Sequence, residues 1–168
     1  MNQRENKAGF TLIELLLVML LIAVAAAIIA PSFSGFSRGR RLPNISVALQ
    51  TTARWCRMKA LQEGTVYRLV LNKSSRSWLV MKDDGTGQFV ASDEEYGKEQ
   101  TLPEGIDFGA IVFEMNLADD DQQGDFITFK PGGRSDVVTI DLVSDKQTIQ
   151  IANDMPLGTF HIVPTVAR

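Results

Sequence analysis

The spacing of apolar positions divides the chain into three stretches. From Phe10 to Ala30 the run FTLIELLLVMLLIAVAAAIIA is apolar except for Thr11 and Glu14. It has no polar face and reads as one continuous helix in an apolar medium. Such a helix would be about 32 Å long at about 1.5 Å per residue, close to the roughly 30 Å hydrocarbon core of a bilayer. Residues 10–30 therefore predict a single membrane-spanning segment, closed by Pro31. From Asn44 to Gln62 apolar or small residues return at three- and four-residue steps: Ile45, Ala48, Leu49, Thr52, Cys56 and Ala60. Arg54, Arg57 and Glu63 fall largely off that stripe, so an amphipathic helix is expected, with Cys56 as a small core residue.

After Gly64 the period changes to two. Thr65–Asn72 and Ser77–Lys82 read as a hairpin joined through Lys73-Ser74-Ser75-Arg76. Short strands near 87–91 and 106–114 interrupt an acidic, turn-rich stretch. A C-terminal series follows at Asp125–Lys130, Asp136–Leu142, Gln147–Ala152 and Thr159–Val163, with turns at Pro131-Gly132-Gly133, Ser144-Asp145-Lys146 and 153–158. The segment between the helices, residues 31–43, holds two Pro and two Gly and reads as a bent or partly unwound connector. Its Arg38, Arg40 and Arg41 suit either anionic lipid head groups or plain solvation.

Composition narrows the function. The 168 residues have room for one compact domain beyond the anchor. A net charge of −3 argues against the broad basic surface that neutralises nucleic-acid phosphates. Cys56 is the only cysteine, which excludes an intrachain disulfide and a multi-cysteine metal site. No cofactor or metal is expected. Asp119-Asp120-Asp121 lacks the alternating ligands and turn glycine of a calcium loop. Gly85-x-Gly87 lies in an acidic loop, the wrong setting for a phosphate cradle. His161, the single histidine, falls in an alternating strand that predicts a surface or edge position, and no Gly-x-Ser-x-Gly turn marks a nucleophile. Nothing here predicts an enzyme.

The N-terminus carries the sharpest signal. Arg4 and Lys7 precede the apolar run, as in a cleavable secretory signal, and Ala23-Val24-Ala25 or Ala25-Ala26-Ala27 would supply its cleavage site. A plain signal anchor is the other simple reading. Both must accommodate Glu14, a carboxylate that costs on the order of 1–3 kcal/mol to insert near the end of an apolar helix and that such segments keep for a partner.

Lys7-Ala8-Gly9-Phe10-Thr11-Leu12-Ile13-Glu14-Leu15 resembles the leader of the type IV pilin and type II secretion pseudopilin superfamily. That resemblance implies that a prepilin peptidase cuts after Gly9 and methylates the new N-terminus at Phe10. It also implies that Glu14 serves assembly. The leader, residues 1–9, would be cytoplasmic, and residues 44–168 would form a periplasmic globular domain on a single-pass inner-membrane anchor. The arginines alone leave that orientation open, because Arg38, Arg40 and Arg41 balance the positive groups ahead of the span.

The order of elements resembles the minor pseudopilin H family of type II secretion and the related minor pilin T of type IV pili. Its local carriers are Ala53–Ala60 leading into Val66–Leu71, Leu102-Pro103-Glu104-Gly105-Ile106, Ile127–Gly133 and Gly158. The fold implied is α+β and pilin-like: a long N-terminal membrane-spanning helix followed by a C-terminal antiparallel β-sheet domain. The function implied is that of a minor pseudopilin in the periplasmic pseudopilus, which drives export of folded proteins. Its partners would be prepilin peptidase, other pseudopilins or pilins and an inner-membrane assembly platform. The alternative is a minor pilin of a type IV pilus that contacts DNA. The acidic charge and a C-terminus with Arg168 as its single arginine weaken that alternative.

Overall fold

The computed structural model describes residues 11–39, 41–117, 125–145 and 147–163, with side chains of 27–39 left out. Two compact units divide at residues 40/41. In the first unit, α1 (Leu12–Gly39) is one helix. Residues 31–39, expected as a bent or partly unwound connector, are helical. A proline removes one backbone donor and crowds the preceding turn, but the hydrogen bonds on either side can carry the helix past it.

The second unit opens with α2 (Arg41–Glu63), which begins three residues before the expected start. Pro43 lies in its first turn, where the backbone N–H groups have no intrahelical acceptor and a missing donor costs nothing. Gly64, at φ 64°, ends the helix in the left-handed conformation that glycine adopts without a Cβ clash. The buried stripe is Leu42, Ser46, Leu49, Thr52, Ala53, Cys56 and Ala60. Its two hydroxyls bond back one turn, Ser46 Oγ to Leu42 O at 2.8 Å and Thr52 Oγ1 to Ala48 O at 3.1 Å. No buried donor is left without a partner there.

Among the described residues nine strands follow: β1 (Tyr67–Asn72), β2 (Ser77–Asp83), β3 (Phe89–Ala91), β4 (Gln100–Thr101), β5 (Ile106–Met115), β6 (Phe126–Phe129), β7 (Val137–Ser144), β8 (Thr148–Asn153) and β9 (His161–Val163). They form two antiparallel sheets. The first has the order β3-β2-β1-β6, with β4 also on β2, and the second has β5-β7-β8-β9. The C-terminal strands expected as one series are thus split. β6 leaves its sequence neighbours and pairs with β1, Leu69 opposite Ile127, while β7, β8 and β9 join β5.

Alternation explains which face each strand buries. Tyr67, Leu69 and Leu71 of β1 point inward with Trp78 and Val80 of β2 and Ile127 and Phe129 of β6. Val138, Ile140 and Leu142 of β7 and Ile151 of β8 do the same in the second sheet. α2 packs on strands of both sheets, and one continuous core joins the three layers. The hairpin turn is set by Asn72, whose Oδ1 accepts from the amides of Ser74 and Ser75, both at 3.0 Å.

Candidate functional site

Gly9 and Phe10, the expected cleavage and methylation positions, lie outside the described residues. Glu14 sits in the first turn of α1. Thr11 caps that turn: its Oγ1 accepts from Glu14 N at 3.3 Å, and its carbonyl accepts from Glu14 N at 3.1 Å and Leu15 N at 3.2 Å. Thr11-x-x-Glu14 is the spacing of a capping box, a signal that the sequence reading passed over. The carboxyl group lies at the N-terminal end of the helix dipole. Its neighbours Leu12, Ile13, Leu15 and Leu16 are all exposed, and among the described residues no cation lies within ion-pair distance of Glu14. The first turn therefore presents an anion on an apolar cylinder. Among the described residues no helix is long and apolar enough to cross a membrane. The expected span, residues 10–30, reaches beyond those whose side chains are described.

In the second unit, polar groups on α2 fasten loops that hydrophobic burial leaves loose. Gln50 Nε2 and Arg54 Nε donate to Phe160 O at 2.9 and 3.0 Å. Arg57 donates to Leu157 O at 2.6 Å and also to Gly158 O. One helical edge thus straps the β8–β9 connection. At the helix end, Glu63 accepts from Tyr67 Oη at 2.7 Å, Lys59 at 3.1 Å and Lys82 at 3.3 Å. Lys59 also meets Glu94 at 2.6 Å, and Trp55 packs edge-on to Tyr67 and beside Tyr96. The Tyr67 hydroxyl, then Lys59 and Lys82, hold the Glu63 carboxyl down at about 2. The hydrogen bonds that Lys59 donates to Glu94 and Glu63 raise its ammonium.

Two further polar devices join the elements. Asp136 is fully buried and accepts from Leu117 N at 2.5 Å and Thr128 N at 2.7 Å, while Asn153 Nδ2 donates to its carbonyl at 2.8 Å. Burial pushes its carboxyl up despite those two amides. Arg76, in the left-handed region at φ 53°, donates to Pro103 O at 2.7 Å and Ile106 O at 2.8 Å and pairs with Asp107 at 2.7 Å. It ties the β1–β2 turn to the start of β5.

The remaining candidates fall in ordinary surroundings. Cys56 is wholly buried in the α2 stripe, and that burial pushes its thiol up, away from the reactive thiolate. His161 lies in β9, at the edge of its sheet, with Nε2 3.4 Å from Asp154. Asp119–Asp121 lie outside the described residues. Among the described residues no group of three His, Cys, Asp or Glu side chains is placed to hold a metal.

Residues 4–30 match the prokaryotic N-terminal methylation motif. Type II secretion system protein H of Xanthomonas campestris pv. campestris is 33% identical over 75 residues, covering 45% of this chain and 44% of that protein. The match thus spans less than half the length of that relative. The minor pseudopilin EpsH from the type 2 secretion system of Vibrio cholerae superposes with a TM-score of 0.55 over 73% of this chain and 96% of its own, at 12% identity. A further crystal structure of EpsH gives 0.58 over 76% and 97%, at 13% identity. The type IV minor pilin FimU of Pseudomonas aeruginosa gives 0.55 over 77% and 92%, at 9% identity. At these identities the structural likeness is one of fold. The chain thus carries the prokaryotic N-terminal methylation motif ahead of a pilin-like α+β fold, and it is similar to type II secretion system protein H in sequence and to EpsH and FimU in fold.

Proposed function

We propose that the chain is a minor pseudopilin of a type II secretion system. A prepilin peptidase cuts after Gly9 and methylates Phe10, residues 10–30 anchor the product in the inner membrane, and residues 44–168 stand in the periplasm. The subunit then leaves the bilayer for a fibre that drives export of folded proteins. The observation that carries this reading is Glu14, an exposed carboxylate in the capped first turn of an apolar helix within the methylation motif. Cleavage makes an amine at Phe10 that stays cationic after methylation. Inside a fibre, Glu14 of one subunit pairs with the amine of its neighbour. An unpaired buried carboxylate is costly and a paired one is tolerated, so the pair selects the axial register of packing.

The test is mass spectrometry of the mature protein from its native membrane. A methylated Phe10 at the N-terminus is expected, and an intact Met1 or a start at Ala26 or Ile28 refutes the reading. The likeness to FimU supports a second reading, a minor pilin of a type IV pilus. The two separate in a deletion strain. Loss of protein secretion with pili intact supports the pseudopilin, and loss of pili with secretion intact supports the pilin.

A further inference from the structure

The strap between α2 and the β8–β9 connection borders a groove of about 620 Å³ lined in part by Arg54, Arg57, Met58 and Leu61. Met58 is 45% exposed and Leu61 53%, and in the adjoining connection Met155 and Leu157 are each 63% exposed. These side chains are not outward because their backbone is slack. Leu157 and Gly158 carbonyls are held by Arg57, Gly158 N donates to Met155 O at 2.7 Å, and Ser135 N donates to Pro156 O at 2.8 Å. A Cβ on Gly158 would come within 2.6 Å of Asn153 Oδ1, so the connection is tightly seated. Large apolar groups held in water by a rigid frame form a surface whose ordering cost on binding has already been met by the fold.

The charges indicate what covers it. Among the described residues neither Arg54 nor Arg57 has a carboxylate within ion-pair distance; both bond only neutral carbonyl oxygens. Arg54 uses Nε alone, which leaves its two Nη groups without a partner among the described residues. A guanidinium fork of that kind suits a carboxylate accepting in bidentate fashion. A symmetric pairing of two copies through the groove would set these arginines against each other, and like charges facing across an interface are disfavoured.

We propose that this groove docks an acidic segment of a different protein subunit, with a carboxylate on Arg54 and an adjacent apolar side chain among Met58, Leu61 and Leu157. The proposal rests on the subunit reading of the chain. Its test places a photo-crosslinking benzophenone residue at Leu61 in the full chain, in native membranes, and identifies the captured peptide by mass spectrometry. A peptide of another protein containing Asp or Glu is expected. Leu157→Glu should cut the yield roughly tenfold and Leu157→Lys only about threefold, while Val112→Glu, exposed on β5 at the opposite edge of the sheet, should leave it within about twofold. Equal yields for Leu157→Glu and Leu157→Lys overturn the charge argument. A captured peptide without a carboxylate, an adduct to lipid or to a second copy alone, or no adduct overturns the docking surface. Phe10 methylation scored on the same sample separates the two readings. Unmethylated protein refutes the subunit reading, and methylated protein without the adduct refutes the groove alone.

Discussion

Glu63 closes α2 and ties its end to the first sheet, so its charge should be visible in how stability varies with pH. Three donors converge on it: the Tyr67 hydroxyl at 2.7 Å, Lys59 at 3.1 Å and Lys82 at 3.3 Å. They hold its carboxyl at about 2, against 4.5 for the free group. A carboxyl whose pKa is depressed by folding takes up its proton more readily in the unfolded chain. Its contribution is therefore whole above about pH 4.5 and disappears as the pH falls toward about 2. The full shift is equivalent to about 3 kcal/mol at about 1.4 kcal/mol per unit. The side chain is 31% exposed and water screens it, so about 1–2 kcal/mol is expected.

Glu63→Gln keeps the shape and removes the charge. The assay is urea denaturation of a fragment starting at Arg41, which contains the whole hydrophobic core. The variant should lose about 1–2 kcal/mol at pH 7, and its deficit should narrow steadily below about pH 4.5 and be small by about pH 2. Paired with Tyr67→Phe in a double-mutant cycle, it should show a coupling of about 1 kcal/mol at pH 7. A deficit constant from neutral to acid, or no coupling to Tyr67, refutes the reasoning.

Asp136→Ala strands the amides of Leu117 and Thr128 in the interior and should cost about 2–4 kcal/mol, read as a shift in the urea midpoint of the same fragment. Arg57→Met keeps the aliphatic stem but releases the Leu157 and Gly158 carbonyls; hydrogen exchange at 155–160 should quicken by about tenfold with the core amides unchanged. Cys56 should resist iodoacetamide until the fragment unfolds, and labelling of the native protein at the rate of a free thiol would contradict its burial. Glu14→Leu should insert into the membrane at least as well as the parent chain yet assemble about tenfold less, scored by subunit crosslinking in cells. Assembly at the parent rate would remove the register role.

Local chemistry alone placed most of the elements. The β1–β2 hairpin follows from the alternation of β1, repeated more loosely in β2 beyond an Asn-led polar turn, because a period of two leaves a strand a single face to bury. The α2 stripe follows from its three- and four-residue steps in the same way, although Ile45 and Ala48 prove only half buried while Leu42 and Ala53 enter the core. The amino-acid order also carried the N-terminal methylation motif, since a charge at a set distance from a glycine is a property of nearby residues. The two-residue β4 escaped notice, being too short to show a period.

What only the folded chain decided was partnership across long separations. Nothing near β6 marks it for β1 rather than β7; that pairing arises because Ile127 and Phe129 complete the core beneath α2. In the sequence the arginines at 54 and 57 only fall off the apolar stripe, and their roles on the β8–β9 connection appear once residues about a hundred positions apart are brought together. Asp136 looked like the first residue of a strand and is a buried acceptor for two segments. Period, charge and turn chemistry act between neighbours in sequence. Strand order, the strap and the groove depend on which surfaces exclude water together, and that is a property of the packed whole.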